Sequence, residues 1–221
     1  MIRAIVVTVG VFLLLAGCLF GAAGQLSWPM AWAVLGVYSF FKAAAFVFVP
    51  SELLRERAAP GQGVDRVDVV LSALGYLCLF PGTFVAAGLD AVRFGPAIPI
   101  PLAIQVTALL VYALGNAFTF WAVLSNPFFS TFVRIQDDRD HSVVSTGAYA
   151  LVRHPGYAGA LLAHLALPFA LGAVWALLPA AVGTVFFVAR TAREDRTLRD
   201  GLAGYRVYQA QVRWRLLPGV W

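Results

Sequence analysis

The chain has 221 residues, of which 61% are hydrophobic and 12% charged, and its mean hydropathy is +0.80. A soluble domain carries about twice that charged fraction, so the composition excludes an ordinary aqueous globule and makes the bilayer the natural solvent. The net charge of +5 comes from arginine apart from Lys42; those arginines fall in loops and the tail, where membrane topology accounts for them without a nucleic-acid partner.

Helices that are apolar all round cannot be oriented by periodicity, so length identifies the spans. Residues 4–24 carry no charge and supply about the 20 residues a crossing needs. Leu15-Ala16-Gly17-Cys18 has the look of a lipoprotein cleavage box behind Arg3. The residues after Cys18 stay apolar, which favours an uncleaved first helix. Residues 28–50 form a second span, joined to the first by Gln25-Leu26-Ser27, and Lys42 is expected to snorkel from it toward the membrane surface. Residues 51–68 are the first polar loop, in which Pro60-Gly61-Gln62-Gly63 breaks any helix.

Residues 69–89 read as a third span kinked at Pro81-Gly82, residues 90–101 as a proline-rich turn, and residues 102–124 as a fourth span. After the polar stretch 125–155, residues 156–189 stay apolar. One straight helix of that length runs roughly 50 Å, too long for a ~30 Å core. Pro168, Gly172 and Pro179 allow a hairpin of two shorter helices meeting near residues 170–175. A polar tail, 190–221, is helical through Gln211.

The expectation is an all-α, polytopic integral membrane protein of about six transmembrane helices, with a C-terminal helical hairpin and a cytoplasmic cofactor pocket. A four-helix transmembrane region, 1–124, precedes a C-terminal region, 125–221. Arginine bias places both termini in the cytoplasm, because the outer turns then hold only Arg93.

Polar chemistry concentrates where the chain re-enters the membrane. Arg153-His154-Pro155-Gly156-Tyr157-Ala158-Gly159 opens the hairpin, preceded by His141, Gly147 and Tyr149, and Arg190, Arg193, Glu194 and Asp195 follow it. Arg190 and Glu194 share a helix face. They could form an ordinary interfacial ion pair, or hold a zwitterion, with Glu194 on its amine and Arg190 on a carboxylate. Interfacial tyrosines are expected in any membrane protein, but beside a cationic ligand their ring faces become contacts. His164, in mid-span, reads as a hydrogen-bonded packing residue. Cys18 and Cys78 lie in apolar runs, which argues against a disulfide framework. His141, His154 and the cysteines make no convincing zinc set, and no phosphate-cradling glycine motif is present.

Taken in order, Gln136, His141-Ser142-Val143-Val144, Gly147-Ala148-Tyr149, Arg153 through Gly159, Arg190-Thr191-Ala192-Arg193-Glu194 and Tyr205-Arg206-Val207-Tyr208 resemble the signature of the isoprenylcysteine carboxyl methyltransferase family of integral membrane enzymes. The resemblance runs roughly from Asn126 to Pro218. It implies that Gln136, His141, Ser142, Val143, Val144, Tyr149, His154, Pro155, Gly156, Tyr157 and Glu194 surround S-adenosylmethionine. It also implies that Arg190 approaches the methyl-accepting carboxylate. Two departures stand out: Glu194-Asp195 replaces the usual Glu-Glu pair, and the interval from Gln136 to His141 is shorter than in eukaryotic members. The first ~125 residues carry no diagnostic motif.

The expected activity is therefore S-adenosylmethionine-dependent methylation of a carboxylate on a lipophilic or prenylated-cysteine-like acceptor, in what reads as a bacterial inner membrane. Methyl transfer to a carboxylate, already ionised at neutral pH, requires alignment rather than a general base. An amine acceptor, as in a phospholipid, would instead need His154 or Tyr149 to take a proton. A thiol methyltransferase, an NADPH-dependent sterol-type reductase and a non-enzymatic transporter or assembly factor are the competing classes. The transporter class is disfavoured by the lack of an internal repeat.

Overall fold

The protein is described by a computed structural model covering residues 2–58 and 66–221. The expected break at Pro60-Gly61-Gln62-Gly63 lies outside the described residues. Helix α1 spans Ile2–Ala23 and helix α2 spans Pro29–Phe48. Between them Gly24 adopts φ +73°, a left-handed turn that glycine makes without steric cost. Trp32 Nε1 donates to the Leu26 carbonyl at 2.9 Å, which ties the turn to α2. Pro29 starts α2, where its missing N–H costs nothing. Extended geometry at Val49, forced by Pro50, ends it. Helix α3, Ser51–Ala58, buries Leu53 against Val49 and Val123.

Helix α4 runs over Arg66–Arg93 and outlasts the expected span at both ends. It widens into π-turns at Cys78–Gly82, around Pro81, and again at Leu89–Arg93. The first is the expected disturbance at Pro81-Gly82, since proline can neither donate to the helix ladder nor fit beneath the preceding turn. The second carries Asp90, read from sequence as the start of a turn. Asp90 is buried instead, accepting from Ala97 N at 3.1 Å and Trp175 N at 3.0 Å.

Helix α5, Leu102–Ser125, matches the expected fourth span closely. Helix α6, Pro155–Ala170, and helix α7, Leu177–Gly201, form the expected hairpin, with Gly172 at φ +73° in the turn between them. Pro179 falls in the first turn of α7, where a missing N–H is tolerated. Helix α8, Tyr205–Gln211, follows a left-handed Gly204. The expected boundary between hairpin and tail at residue 190 is absent. Arg190 and Glu194 belong to the same continuous helix as the apolar residues before them.

All regular structure among the described residues is helical. Five helices are long and apolar enough to cross a membrane: Ile2–Ala23, Pro29–Phe48, Arg66–Arg93, Leu102–Ser125 and Val174–Gly201. The chain is thus an all-α polytopic membrane protein, as expected, with five such spans among the described residues. Helix α6 has 16 residues, about 24 Å at 1.5 Å each, which is short of a ~30 Å core. It is held instead by protein. At Gly115 of α5 and Gly159 of α6 an added Cβ would lie 2.6 Å from the facing backbone, so small residues set the approach of these two helices. The largest buried cluster then joins α1, α2, α4, α5 and α6.

Candidate functional site

Between α6, α7 and the 126–154 loop the polar side chains are organised by one carboxylate. Asp195 accepts from Arg153 Nε at 2.8 Å, Arg215 Nε at 2.9 Å and the Tyr205 hydroxyl at 2.9 Å, and contacts His154 Nε2 at 3.3 Å. It thereby fastens the loop, α7, α8 and the C-terminal strap together. The strap adds backbone bonds, Arg153 N to Trp214 O at 2.8 Å and His154 N to Arg215 O at 2.9 Å. With Nε2 committed to Asp195, the His154 ring turns Nδ1 toward Glu194 Oε1, 3.9 Å away. Asp195 was legible only as a departure from a Glu-Glu pair; its shorter side chain braces the scaffold from behind while Glu194 faces a cavity.

That cavity, of about 390 Å³, is lined by Gln136, His141, Ser142, Val143, Val144, Tyr149, His154, Gly156, Tyr157, Arg190 and Glu194. Of the residues that the resemblance assigned to donor or acceptor, only Pro155 does not line it; it is buried as the first residue of α6. Glu194 Oε2 accepts from the Tyr157 hydroxyl at 2.5 Å, and Tyr157 stacks on His154 with centroids 6.0 Å apart. Tyr205 and Tyr208 add further ring faces, and the Tyr208 hydroxyl donates to Tyr149 O at 2.7 Å. Burial raises the pKa of the Tyr149 phenol. An acidic group among aromatic faces suits a cationic ligand.

The loop wall is equally self-supporting. Gln136 Nε2 donates to Phe128 O at 2.6 Å and its Oε1 accepts from Arg139 Nη1 at 2.6 Å. Its backbone N–H points at His141 Nδ1 from 3.3 Å, so Nδ1 is the acceptor and the ring proton sits on Nε2. Burial, then the nearby Arg134 charge, holds the His141 pKa below its ordinary value. Arg134 itself bridges Glu56 of α3 at 3.0 Å and Asp138 at 2.7 Å.

Arg190 does not pair with Glu194. Its Nε donates to Asp68 Oδ1 at 2.8 Å, and its Nη2 to Asp68 Oδ2 at 3.2 Å and to Thr131 O at 2.6 Å. Both side chains of this pair are almost completely buried. Asp68 sits 122 positions away in sequence, on a helix whose polar face periodicity could not orient, so no local signal announced it. No hydrogen bond among the described residues takes up Arg190 Nη1, and the guanidinium lies 5.3 Å from the Tyr157 ring centroid, at the cavity wall. Arg57 of α3 also lines the cavity, donating to Phe129 O at 3.2 Å over the Phe129 ring. It falls in the stretch read from sequence as the first polar loop.

Residues 106–200 match the model of the isoprenylcysteine carboxyl methyltransferase (ICMT) family. Over that segment the chain is similar to the family. No curated protein matches it. The matched segment opens within α5 and closes within α7, so it contains the motif loop, Arg190 and Glu194. Helices α1–α4 lie outside it. The match and the five apolar helices among the described residues make the chain similar to a family of membrane methyltransferases.

Proposed function

We propose that the protein transfers a methyl group from S-adenosylmethionine to a carboxylate on a lipophilic acceptor. The observation that carries this reading is a single cavity joining Glu194 and the motif loop to membrane-embedded residues of α1 and α2 such as Val7 and Phe41. A water-soluble donor and a lipid-soluble acceptor must meet, and one continuous space serves both.

S-adenosylmethionine, when bound, supplies an electrophilic methyl on a sulfonium. Its cationic groups suit Glu194 and the faces of Tyr149, Tyr157, Tyr205 and Tyr208, while Gln136 and the residues 141–144 form the adjoining wall. Tyr157 holds the Glu194 carboxylate in one orientation, and Asp195 holds His154 against Tyr157. Arg190 offers Nη1 to the acceptor carboxylate from a position locked by Asp68, which avoids paying side-chain entropy at the moment of binding. Because the carboxylate is already ionised, the protein aligns and partly desolvates the two reactants and moves no proton.

Under this reading residues 125–221 hold the donor, and residues 1–124 supply much of the acceptor slot. The arginine distribution favours both termini on the cytoplasmic side of a bacterial inner membrane, which requires the short α6 to complete the crossing that α7 returns. The test is calorimetric titration of detergent-purified protein with S-adenosylmethionine and S-adenosylhomocysteine, with NADPH as control. Micromolar binding of the first two supports the proposal. Binding of NADPH alone would transfer the chain to reductase chemistry, and a folded protein silent to all three would end the enzymatic reading.

A further inference from the structure

Past Tyr157 the cavity continues between α2, α5 and α6, where a lipid chain would ask for hydrocarbon walls. Among the apolar residues that line it, such as Phe41, Phe80 and Phe120, stand five polar side chains: Tyr38, Lys42, Tyr112, Asn116 and His164. On α2 and its C-terminal cap, Tyr38, Lys42, Ala45 and Val49 recur at helical spacing and all line the cavity. Phe40 and Val47, 66% and 75% exposed, mark the opposite, lipid-facing side. Lys42 thus stands on the cavity side of α2, not on its lipid-facing side.

The Lys42 ammonium lies 5.1 Å from the Tyr38 ring centroid and has no hydrogen bond or ion pair among the described residues. It sits about 9 Å before the end of α2, counted at 1.5 Å per residue. Asn116 donates an amide hydrogen to Tyr112 O at 2.8 Å and lines the cavity one helix away from Lys42. His164 Nδ1 contacts the Ala160 carbonyl at 2.7 Å. A carbonyl only accepts, so Nδ1 carries the proton and Nε2 remains polar and unprotonated. A bare ammonium in a slot that must also hold hydrocarbon is costly, and its three donors call for an anionic acceptor.

We propose that Lys42, with Asn116 on the neighbouring α5, forms a second acceptor subsite that binds an acidic group carried along the lipophilic chain, away from the methylated end. The acceptor class is then a lipophilic diacid, not a plain prenyl or acyl monoacid. This inference rests on the acceptor reading above. It assigns specificity to residues on both sides of the family boundary, Lys42 outside the matched segment and Asn116 inside it.

The test uses full-length protein in detergent, without methyl donor, titrated with α,ω-dicarboxylic acids of graded length and with monocarboxylic acids of the same lengths. At one intermediate length the diacid should bind at least tenfold more tightly than its monoacid. Lys42→Met should abolish that preference while leaving monoacid affinity, S-adenosylmethionine affinity and melting temperature unchanged, and Lys42→Arg should retain it. Equal binding of diacids and monoacids at every length overturns the subsite, as does a preference that survives Lys42→Met. Should Lys42→Met not fold, Asn116→Ala decides: a weakened length-selective preference supports the subsite, and an unchanged one overturns it. Failure of the donor to bind would remove the methyltransferase reading and leave a diacid preference standing. Loss of the preference with donor binding intact would remove only the subsite.

Discussion

The segment matched by the ICMT family and the helices that precede it treat charge in opposite ways. In the matched segment nearly every charged side chain at the cavity is bound by protein: Arg153 by Asp195, Arg134 by Glu56 and Asp138, Arg190 by Asp68. Outside it, Lys42 and Arg57 face the same cavity and rest only on aromatic rings and, for Arg57, a backbone carbonyl. Groups already paired present a fixed shape, and groups left unpaired present a field. The motif half is a preorganised frame whose ligand-facing charges, Glu194 and Arg190, are already held by protein, whereas those contributed by α2 and α3 have no carboxylate partner among the described residues. Asp68 is the hinge of this comparison, because it is the carboxylate that α4 lends to the frame.

The largest effect should come from breaking that loan. Asp68→Ala leaves the Arg190 guanidinium buried and uncompensated, at a cost of about 3–5 kcal/mol. Thermal melting in detergent should show a severe loss, and the double variant Asp68→Ala/Arg190→Met should recover part of it. A single variant as stable as the parent would mean that the pair is not the buried brace described here. A smaller loss, about 1–3 kcal/mol, is expected for Gly159→Ala, whose Cβ would press on Gly115 O and Thr119 Oγ1, both at 2.6 Å. If that variant melts with the parent, α5 and α6 are not packed backbone to backbone.

Glu194→Ala probes the ligand side of the frame. Removing an ionised partner of a bound cation should weaken S-adenosylmethionine by about tenfold or more, with melting little changed because Asp195, not Glu194, holds the scaffold. Unaltered donor affinity would show that the acidic end of the cavity serves another ligand.

How much of this was readable from sequence depends on range. Local signals worked: the uncharged run of residues 102–124 and Gly172 in the turn between α6 and α7 each act on their own neighbours. The residues assigned to donor and acceptor, other than Pro155, line one cavity, since the motif loop and the far end of the helical hairpin lie side by side. The partners of Arg190 and the inward aim of Lys42 were not readable. Both depend on the rotation of helices that are apolar on all sides, and only packing between distant segments sets it. The end of the membrane hairpin was misplaced for a related reason. Polar residues begin at Arg190, but nothing there breaks a helix, and α7 continues to Gly201.

The smallest effect concerns protons on the motif loop. His141 is neutral in the folded loop, with Nδ1 accepting from Gln136 N, and its pKa lies below the ordinary 6.5 because of burial and Arg134. The sign follows from linkage. Below pH 6.5 the unfolded chain takes up the proton before the folded one does, so the contribution is full above that pH and is lost as pH falls below it. The loss can be no steeper than about 1.4 kcal/mol per pH unit for one group. Melting temperature measured from pH 7.5 down to 5.5 should therefore fall more for the parent than for His141→Asn. Only the difference between the two curves reports on this residue, because His154 and His164 are common to both. Parallel curves would mean that His141 is free to titrate, and that the loop wall of the cavity is not built around an unprotonated Nδ1.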